Sequence, residues 1–375
     1  MNESEMLAMI ESSSRTLLVE PPYKRKYPPL GLAKIATYQQ RRGANVEFSR
    51  NVIPGDFDLV CMTSLFTSDS DKVIDQAQMA EFILPGVPVL IGGVYASLME
   101  KHLQNAAPAA AIFAGYSPKL DLCVPDYSIN WEIEEPWDRF AFLFTTRGCP
   151  NRCAYCAVWR LEPETWICPN WRDHIPDDKP YVMISDNNLS AAPLGHIREL
   201  IDFLVERKKR VVFDNGLDCK LITEEIAAEL ARLRYTRHGM RLAFDRIEED
   251  GVFQAAVRRL LDAGVPKSQI MAYVLFNFKD SPQEADYRMR ECANLGIRPY
   301  PQQYQPLNRK SRTEPAYVGR QWTIRLVRAF RGFWLMAGIY GKQEFAEWLE
   351  KNRDGELNTN LKLGPEDWAA WSEGS

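Results

Sequence analysis

Residues 145–156 read Thr145-Thr146-Arg147-Gly148-Cys149-Pro150-Asn151-Arg152-Cys153-Ala154-Tyr155-Cys156. Three cysteines fall in a Cys-x3-Cys-x2-Cys spacing, with an aromatic residue directly before the last. Three thiolates can hold three irons of a [4Fe–4S] cluster and leave the fourth iron open to chelate a small molecule. A cluster that only carries electrons normally takes four thiolates. Cys149, Cys153 and Cys156 are therefore the candidate ligands of a metal centre that does chemistry. The competing reading is a zinc knuckle, which calls for a second Cys/His pair at ligand spacing. Cys168 and His174 are the only nearby residues of the right type, and they do not form such a pair.

Outward from this loop the chain alternates short apolar runs with helix-length segments. Downstream, strands are predicted at 141–145, 181–185, 210–213, 241–244, 269–275 and 298–304. Helices are predicted at 194–208, 223–234, 252–263 and 282–295, with Thr223 as a cap and Glu224-Glu225 in the first turn. Upstream, strands are predicted at 15–20, 45–49, 58–63, 87–91 and 110–113, with helices at 30–42, 68–84 and 95–104. Strands separated by helices imply parallel sheets with helices on both faces. Ligands of such sheets sit at the carboxyl ends of the strands. Residues 117–139 have no clear period and read as a linker. A tryptophan-rich helical segment is predicted from Trp322 to about Trp348. The expected organisation is a doubly wound, Rossmann-like domain at 1–125, an α/β domain at 126–310 and a helical C-terminal segment at 311–375.

Composition bounds the function classes. The 375 residues are 46% hydrophobic and 26% charged, with a net charge of −4 and a pI near 5.8. This fits a globular protein and gives no global basic surplus for nucleic-acid binding. Basic residues gather only at Arg309-Lys310-Ser311-Arg312 and at Arg320, Arg325, Arg328 and Arg331. No apolar run approaches the ~18–20 residues of a membrane span, and residues 1–14 lack the apolar core of a signal peptide. Eight cysteines are too few for a disulfide scaffold of this length. A cytoplasmic location is expected, in keeping with an oxygen-sensitive cluster. Cys168, Cys219 and Cys292 read as buried structural thiols.

The segment 145–156 resembles the signature of the radical S-adenosylmethionine (SAM) superfamily, Cys-x3-Cys-x-aromatic-Cys. The resemblance implies a partial (β/α)6 barrel built on the six downstream strands. It also implies SAM bound by the open iron through its amino and carboxylate groups, and SAM cleavage to methionine and a 5′-deoxyadenosyl radical. Tyr155 matches the aromatic position near the adenine, with a packed aromatic as the other reading. Arg147 and Arg152 either lower the thiolate pKa values or are solvated surface arginines. At the end of the second barrel strand Ser185, Asp186 and Asn187 replace the Gly-Gly-Glu-like segment that meets the SAM amino group in relatives. The alternative there is an Asx cap. After the third strand, Gly216-Leu217-Asp218 resembles a Gly-Leu-Asp segment, placing Asp218 and Lys220 near ribose, SAM carboxylate or substrate. Asp245 is a ribose or substrate contact, or a helix-start residue, and 302–307 would offer backbone to the adenine edge.

Residues 15–116 are similar to the cobalamin-binding domain that precedes many radical SAM domains. The matching points are Pro21-Pro22, 28–32, Ser64-Leu65 and Gly92-Gly93, with Tyr95 close by. The Asp-x-His-x-x-Gly loop that supplies a lower cobalt ligand is missing: 49–55 holds no histidine. The resemblance thus implies cobalamin without a histidine ligand, or a domain kept for architecture. It further implies hydrogen abstraction from an unactivated carbon, with methyl transfer if cobalamin is present, or rearrangement, oxidation or ring formation if it is not. A small-molecule or peptide substrate and an external electron donor of flavodoxin or ferredoxin type would complete the system. A non-catalytic metal-binding scaffold and an RNA modifier are the competing classes.

Overall fold

A computed structural model describes residues 1–24, 27–336, 343–351 and 363–372. The chain divides into two compact units, Met1–Asn187 with Leu307–Pro315, and Asn188–Pro306 with Ala316–Ser375. The break at 187/188 falls inside the segment expected to form the second domain.

The first unit opens with five strands: β1 (Arg15–Val19), β2 (Asn45–Ser49), β3 (Leu59–Ser64), β4 (Val89–Gly93) and β5 (Ala111–Ile112). They form one sheet in the order β2-β1-β3-β4-β5, and every pairing is parallel. Side chains alternate along each strand, so each strand feeds two cores. Leu17, Val19, Val60, Met62 and Ile91 face one side with Val73, Ala77 and Ala80 of helix Ser70–Ile83. Leu18, Leu59, Cys61 and Leu90 face the other with Leu32, Ala33 and Ala36 of helix Leu30–Gln40. The sheet is doubly wound, as expected. Its order reverses between β1 and β3, and that is where such sheets open a crevice at their carboxyl edge.

Two details differ from the sequence reading. The polar N-terminus forms a helix, Glu3–Glu11, closed by an Asn2/Glu5 capping box and held down by Met6, Leu7 and Ile10. The segment 95–104 is two helices, Val94–Leu98 and Glu100–Ala106, that meet at Met99.

Still in the first unit, β6 (Phe140–Leu143) pairs in parallel with β9 (Tyr181–Ile184). Between them, β7 (Thr146–Arg147) and β8 (Trp166–Ile167) form a two-residue antiparallel ladder. The predicted linker contains a short helix, Pro118–Asp121, capped by Ser117.

In the second unit, β10 (Arg210–Phe213) pairs in parallel with β12 (Arg234–Tyr235). A second sheet runs β11 (Leu217–Asp218), β13 (Met240–Ala243), β14 (Ile270–Phe276) and β15 (Arg298–Gln303), again all parallel. All six predicted barrel strands are present within two residues of their expected bounds. The predicted Thr223 cap accepts from Ile226 N, and Ser281 with Glu284 makes a capping box for helix Pro282–Asn294. Fully buried Arg288 donates to the carbonyls of Phe244 and Leu275 and pairs with Asp280. It thereby ties together the carboxyl ends of β13 and β14.

Helices Ile324–Leu335 and Phe345–Lys351 pack through Phe330, Phe333, Phe345 and Trp348. Residues 337–342, 352–362 and 373–375 of the expected helical tail lie outside the described residues. Among the described residues no helix is long and apolar enough to cross a membrane.

Candidate functional site

The cysteine loop leaves the carboxyl end of β6 and is pinched at its base by the β7/β8 ladder, which pairs Arg147 with Trp166. Gly148 is the tightest point. Its φ is +74°, and a Cβ there would stand 2.1 Å from the Glu164 carbonyl oxygen. Only glycine permits this approach. Beyond it the chain turns sharply: Cys156 N donates to the Cys153 carbonyl at 3.1 Å, and Trp159 Nε1 donates to the same oxygen at 3.1 Å. Val158 N donates to Cys156 Sγ at 3.5 Å. Hydrogen bonds to ligand sulfurs are one of the means by which proteins set cluster potentials.

The eight cysteines sort into two groups, and none is in a disulfide. Cys149, Cys153 and Cys156 are half-buried, whereas Cys61, Cys123, Cys168, Cys219 and Cys292 are buried. Burial pushes the Cys61 and Cys219 thiols up to about 12 and raises those of Cys292, Cys123 and Cys168. These five remain protonated thiols at neutral pH. Reachable thiols are thus confined to the motif. Among the described residues, no three His, Cys, Asp or Glu side chains are grouped as the ligands of one metal ion. A four-iron cluster makes a different demand, since each thiolate holds its own iron at a separate corner. The donor set, three reachable thiols on one backbone loop, fits that group.

The loop is held from below by charge. Arg147 donates from Nε and Nη2 to both oxygens of Asp121, each at 2.8 Å, and from Nη1 to Glu162 Oε1 at 2.9 Å. Its guanidinium lies 3.6 Å from the Phe144 ring centroid. Buried Lys34 donates to Asp121 Oδ1 at 2.7 Å. Arg147 is therefore neither a solvated arginine nor directed at the thiols. Both of its carboxylate partners are internal, and its pKa is raised overall by Asp121 and Glu162 despite the opposing effect of burial. Glu162 Oε2 accepts from Gly148 N at 2.9 Å and from Asn187 Nδ2 at 2.6 Å. Lys34, Asp121 and Glu162 escaped the sequence reading. They stand far apart in the chain, and each looks like an ordinary surface charge.

At the end of β9, Ser185 N continues the β6 pairing by donating to Leu143 O. Asp186 is buried. It accepts from Thr145 N, Thr145 Oγ1 and Thr146 N, and desolvation lifts its carboxyl to about 6. Its carboxylate joins the ends of β6 and β9 just before the loop. Asn187 is half-buried, and Tyr155 lies half-buried in the loop itself.

Asp218, Lys220 and Asp245 gather in the second unit. Lys220 Nζ lies 3.6 Å from Asp218 Oδ2 and 3.9 Å from Glu249 Oε1. Asp245 N donates to Glu249 Oε2 at 3.0 Å, and Leu275 N donates to Asp245 Oδ1 at 3.2 Å. Glu249, absent from the sequence reading, is the hub of this group.

The carboxyl edge of the N-terminal sheet is built differently. Ser64 Oγ donates to Gly92 O and accepts from Ala96 N. Gly93, at φ +105°, packs so closely that a Cβ would stand 2.3 Å from Ser64 O. Leu65 N donates to the buried Tyr23 hydroxyl at 3.2 Å. Tyr95, expected beside a bound cobalt, is instead fully buried, with its hydroxyl 2.7 Å from His102 Nδ1. The pattern that started a helix at Tyr95, just past a strand end, did not show that the helix turns it inward.

The basic run 309–312 lies at the surface, with both of its arginines engaged. Arg312 makes a bidentate pair with Asp69, both bonds at 2.8 Å, and Arg309 donates to the carbonyls of Ser311, Arg312 and Glu314.

No family model and no curated protein matches the chain. Its structure is similar to that of TsrM from Kitasatospora setae, a radical S-adenosylmethionine methyltransferase solved with cobalamin and a [4Fe–4S] cluster bound. The two share 13% identity and superpose with a TM-score of 0.62 over 80% of this chain and 77% of that one. The fold is thus a Rossmann-like parallel-sheet domain followed by further parallel α/β structure, similar to the fold of that protein.

Proposed function

We propose that this protein is a radical SAM enzyme of the cobalamin-domain branch, which splits SAM reductively and abstracts hydrogen from an unactivated carbon of a small-molecule or peptide substrate. The observation that carries the reading is the confinement of reachable thiols to Cys149, Cys153 and Cys156, on the loop after β6, within a TsrM-like fold. When bound, the cluster would supply the electron that cleaves SAM, drawn from a flavodoxin- or ferredoxin-type donor. The chain's own residues hold the loop. Gly148 sets its entry, the Arg147–Asp121–Lys34 group anchors its base, and Asp186 locks the adjoining strand ends. Tyr155 and Asn187 are proposed for the adenine and amino-group contacts. Asp218, Lys220 and Asp245 are proposed for ribose or substrate.

Methyl transfer is proposed if cobalamin occupies the β1/β3 crevice. The small residues at that edge suit a flat ligand held by shape. The loop 49–55 offers no histidine there. The second reading keeps the radical chemistry and assigns the N-terminal domain to architecture. It is favoured by the hydroxyl of Ser64, whose bonds are internal.

Anaerobic reconstitution tests the first reading. About four irons and four sulfides per chain, with 5′-deoxyadenosine formed on dithionite reduction, is the expected result. Zinc in place of iron with no cleavage would favour a metal-binding scaffold. Retention of cobalamin, with no imidazole hyperfine structure in the cob(II)alamin electron paramagnetic resonance spectrum, separates the two N-terminal roles.

A further inference from the structure

Glu162 receives three donors on two oxygens. Arg147 Nη1 meets Oε1, while Gly148 N and Asn187 Nδ2 both meet Oε2. A carboxylate only accepts, so it fixes which end of the Asn187 amide turns toward it. The NH2 must face Glu162, and the carbonyl Oδ1 is left pointing away as an acceptor. The same oxygen holds the backbone N–H of the residue before Cys149. One carboxylate therefore sets both the entry of the cysteine loop and the polarity of the side chain at the end of β9. We infer that Glu162 is a positioning residue, which presents Asn187 Oδ1 as the acceptor for the amino group of SAM. This rests on the radical SAM reading.

Glu162→Leu tests the polarity directly. It removes the acceptor that fixes the Asn187 amide, which can then turn its NH2 as readily as its carbonyl toward the SAM amino group. Affinity for SAM, read from its perturbation of the reduced cluster's electron paramagnetic resonance signal, should fall about 10- to 100-fold, the range for a lost hydrogen bond to a charged group.

Adding Asn187→Asp to the Glu162→Leu chain should restore most of the affinity, because a carboxylate offers SAM an acceptor whichever way it turns and needs no orienting partner. Asn187→Asp alone sets two carboxylates together and should not improve on the native protein. Asn187→Leu, which leaves Glu162 intact, should weaken SAM at least as much as Glu162→Leu does. This variant carries the test if Glu162→Leu loses its cluster. Unchanged SAM affinity in Glu162→Leu or in Asn187→Leu, or a loss that Asn187→Asp does not rescue, overturns the inference while the radical SAM reading stands. A native protein that takes up no cluster or does not bind SAM overturns the reading itself.

Discussion

The cysteine loop and the carboxyl edge of the N-terminal sheet are both strand-end structures, yet they solve opposite problems. The loop keeps three sulfurs within reach and anchors its backbone beneath them with buried charge. The sheet edge satisfies its own polar groups: Ser64 bonds to Gly92 and Ala96, and Leu65 to Tyr23. A group held by covalent metal–sulfur bonds needs reachable donors. A ligand held by shape needs only a closed, well-packed floor. The difference decides what sequence can show, because donors announce themselves by residue type and floors do not.

The largest effect should come from removing the donors. Replacing Cys149, Cys153 and Cys156 together by alanine should take iron from about four per chain to none and abolish SAM cleavage. Replacing buried Cys168 or Cys219 should leave iron content intact. A fully loaded cluster in the triple variant would erase the contrast between the two groups of thiols.

The floor should break by packing instead. Gly93→Ala meets both a positive φ and the Ser64 carbonyl, and should cost about 2–4 kcal/mol in denaturant unfolding. Its neighbour Gly92 would place a Cβ no closer than 3.9 Å to Phe113 O. Gly92→Ala should therefore cost under about 1 kcal/mol. Equal costs would show that the edge is not the rigid floor described.

Acid should act next, on the base of the loop. His174 is fully buried with no hydrogen-bond partner for either ring nitrogen, close enough to Lys34 and Arg147 to feel their charge. Burial first, then those cations, lower it from 6.5 to about 4. The folded state thus binds this proton less readily than the unfolded chain does. Its contribution to stability is full above pH 6.5 and is lost as pH falls toward 4. By pH 5 the loss should reach about 2 kcal/mol, and His174→Leu should flatten this limb of the pH–stability curve. An unchanged limb in that variant would place the acid sensitivity elsewhere.

The smallest effect is expected at Arg312. The guanidinium is largely exposed, although its partner Asp69 is buried. Arg312→Ala should cost about 1 kcal/mol, read as a shift in denaturation midpoint with no change in iron content.

Much of the architecture was legible in the chain. Short apolar runs such as Leu17-Leu18-Val19 located the strands, and Thr223 marked a helix start by the bond its side chain makes. The cysteine triplet was legible because a short loop brings sequence neighbours together. What sequence did not show was set by distance along the chain. Lys34, Asp121, Arg147 and Glu162 form one charged group only after the fold has assembled them. Tyr95 looked available because a strand end does not reveal which way the following helix turns. Asp186 was read as a ligand contact or an Asx cap, and what sequence did not show is that its carboxylate fastens two strand ends.

The docking of 307–315 onto the first unit has a consequence for how the chain is made. Ser311 bridges to Asp69, and Arg312 neutralises the same residue, but the two partners are synthesised far apart. When Asn187 has left the ribosome, roughly 120 more residues must follow before this segment emerges, on the order of ten seconds at typical elongation rates. During that interval the nascent sheet carries a buried-to-be carboxylate and an open helix start without their counterpart. The first unit to begin folding is completed by a segment that arrives only after most of the second has been made.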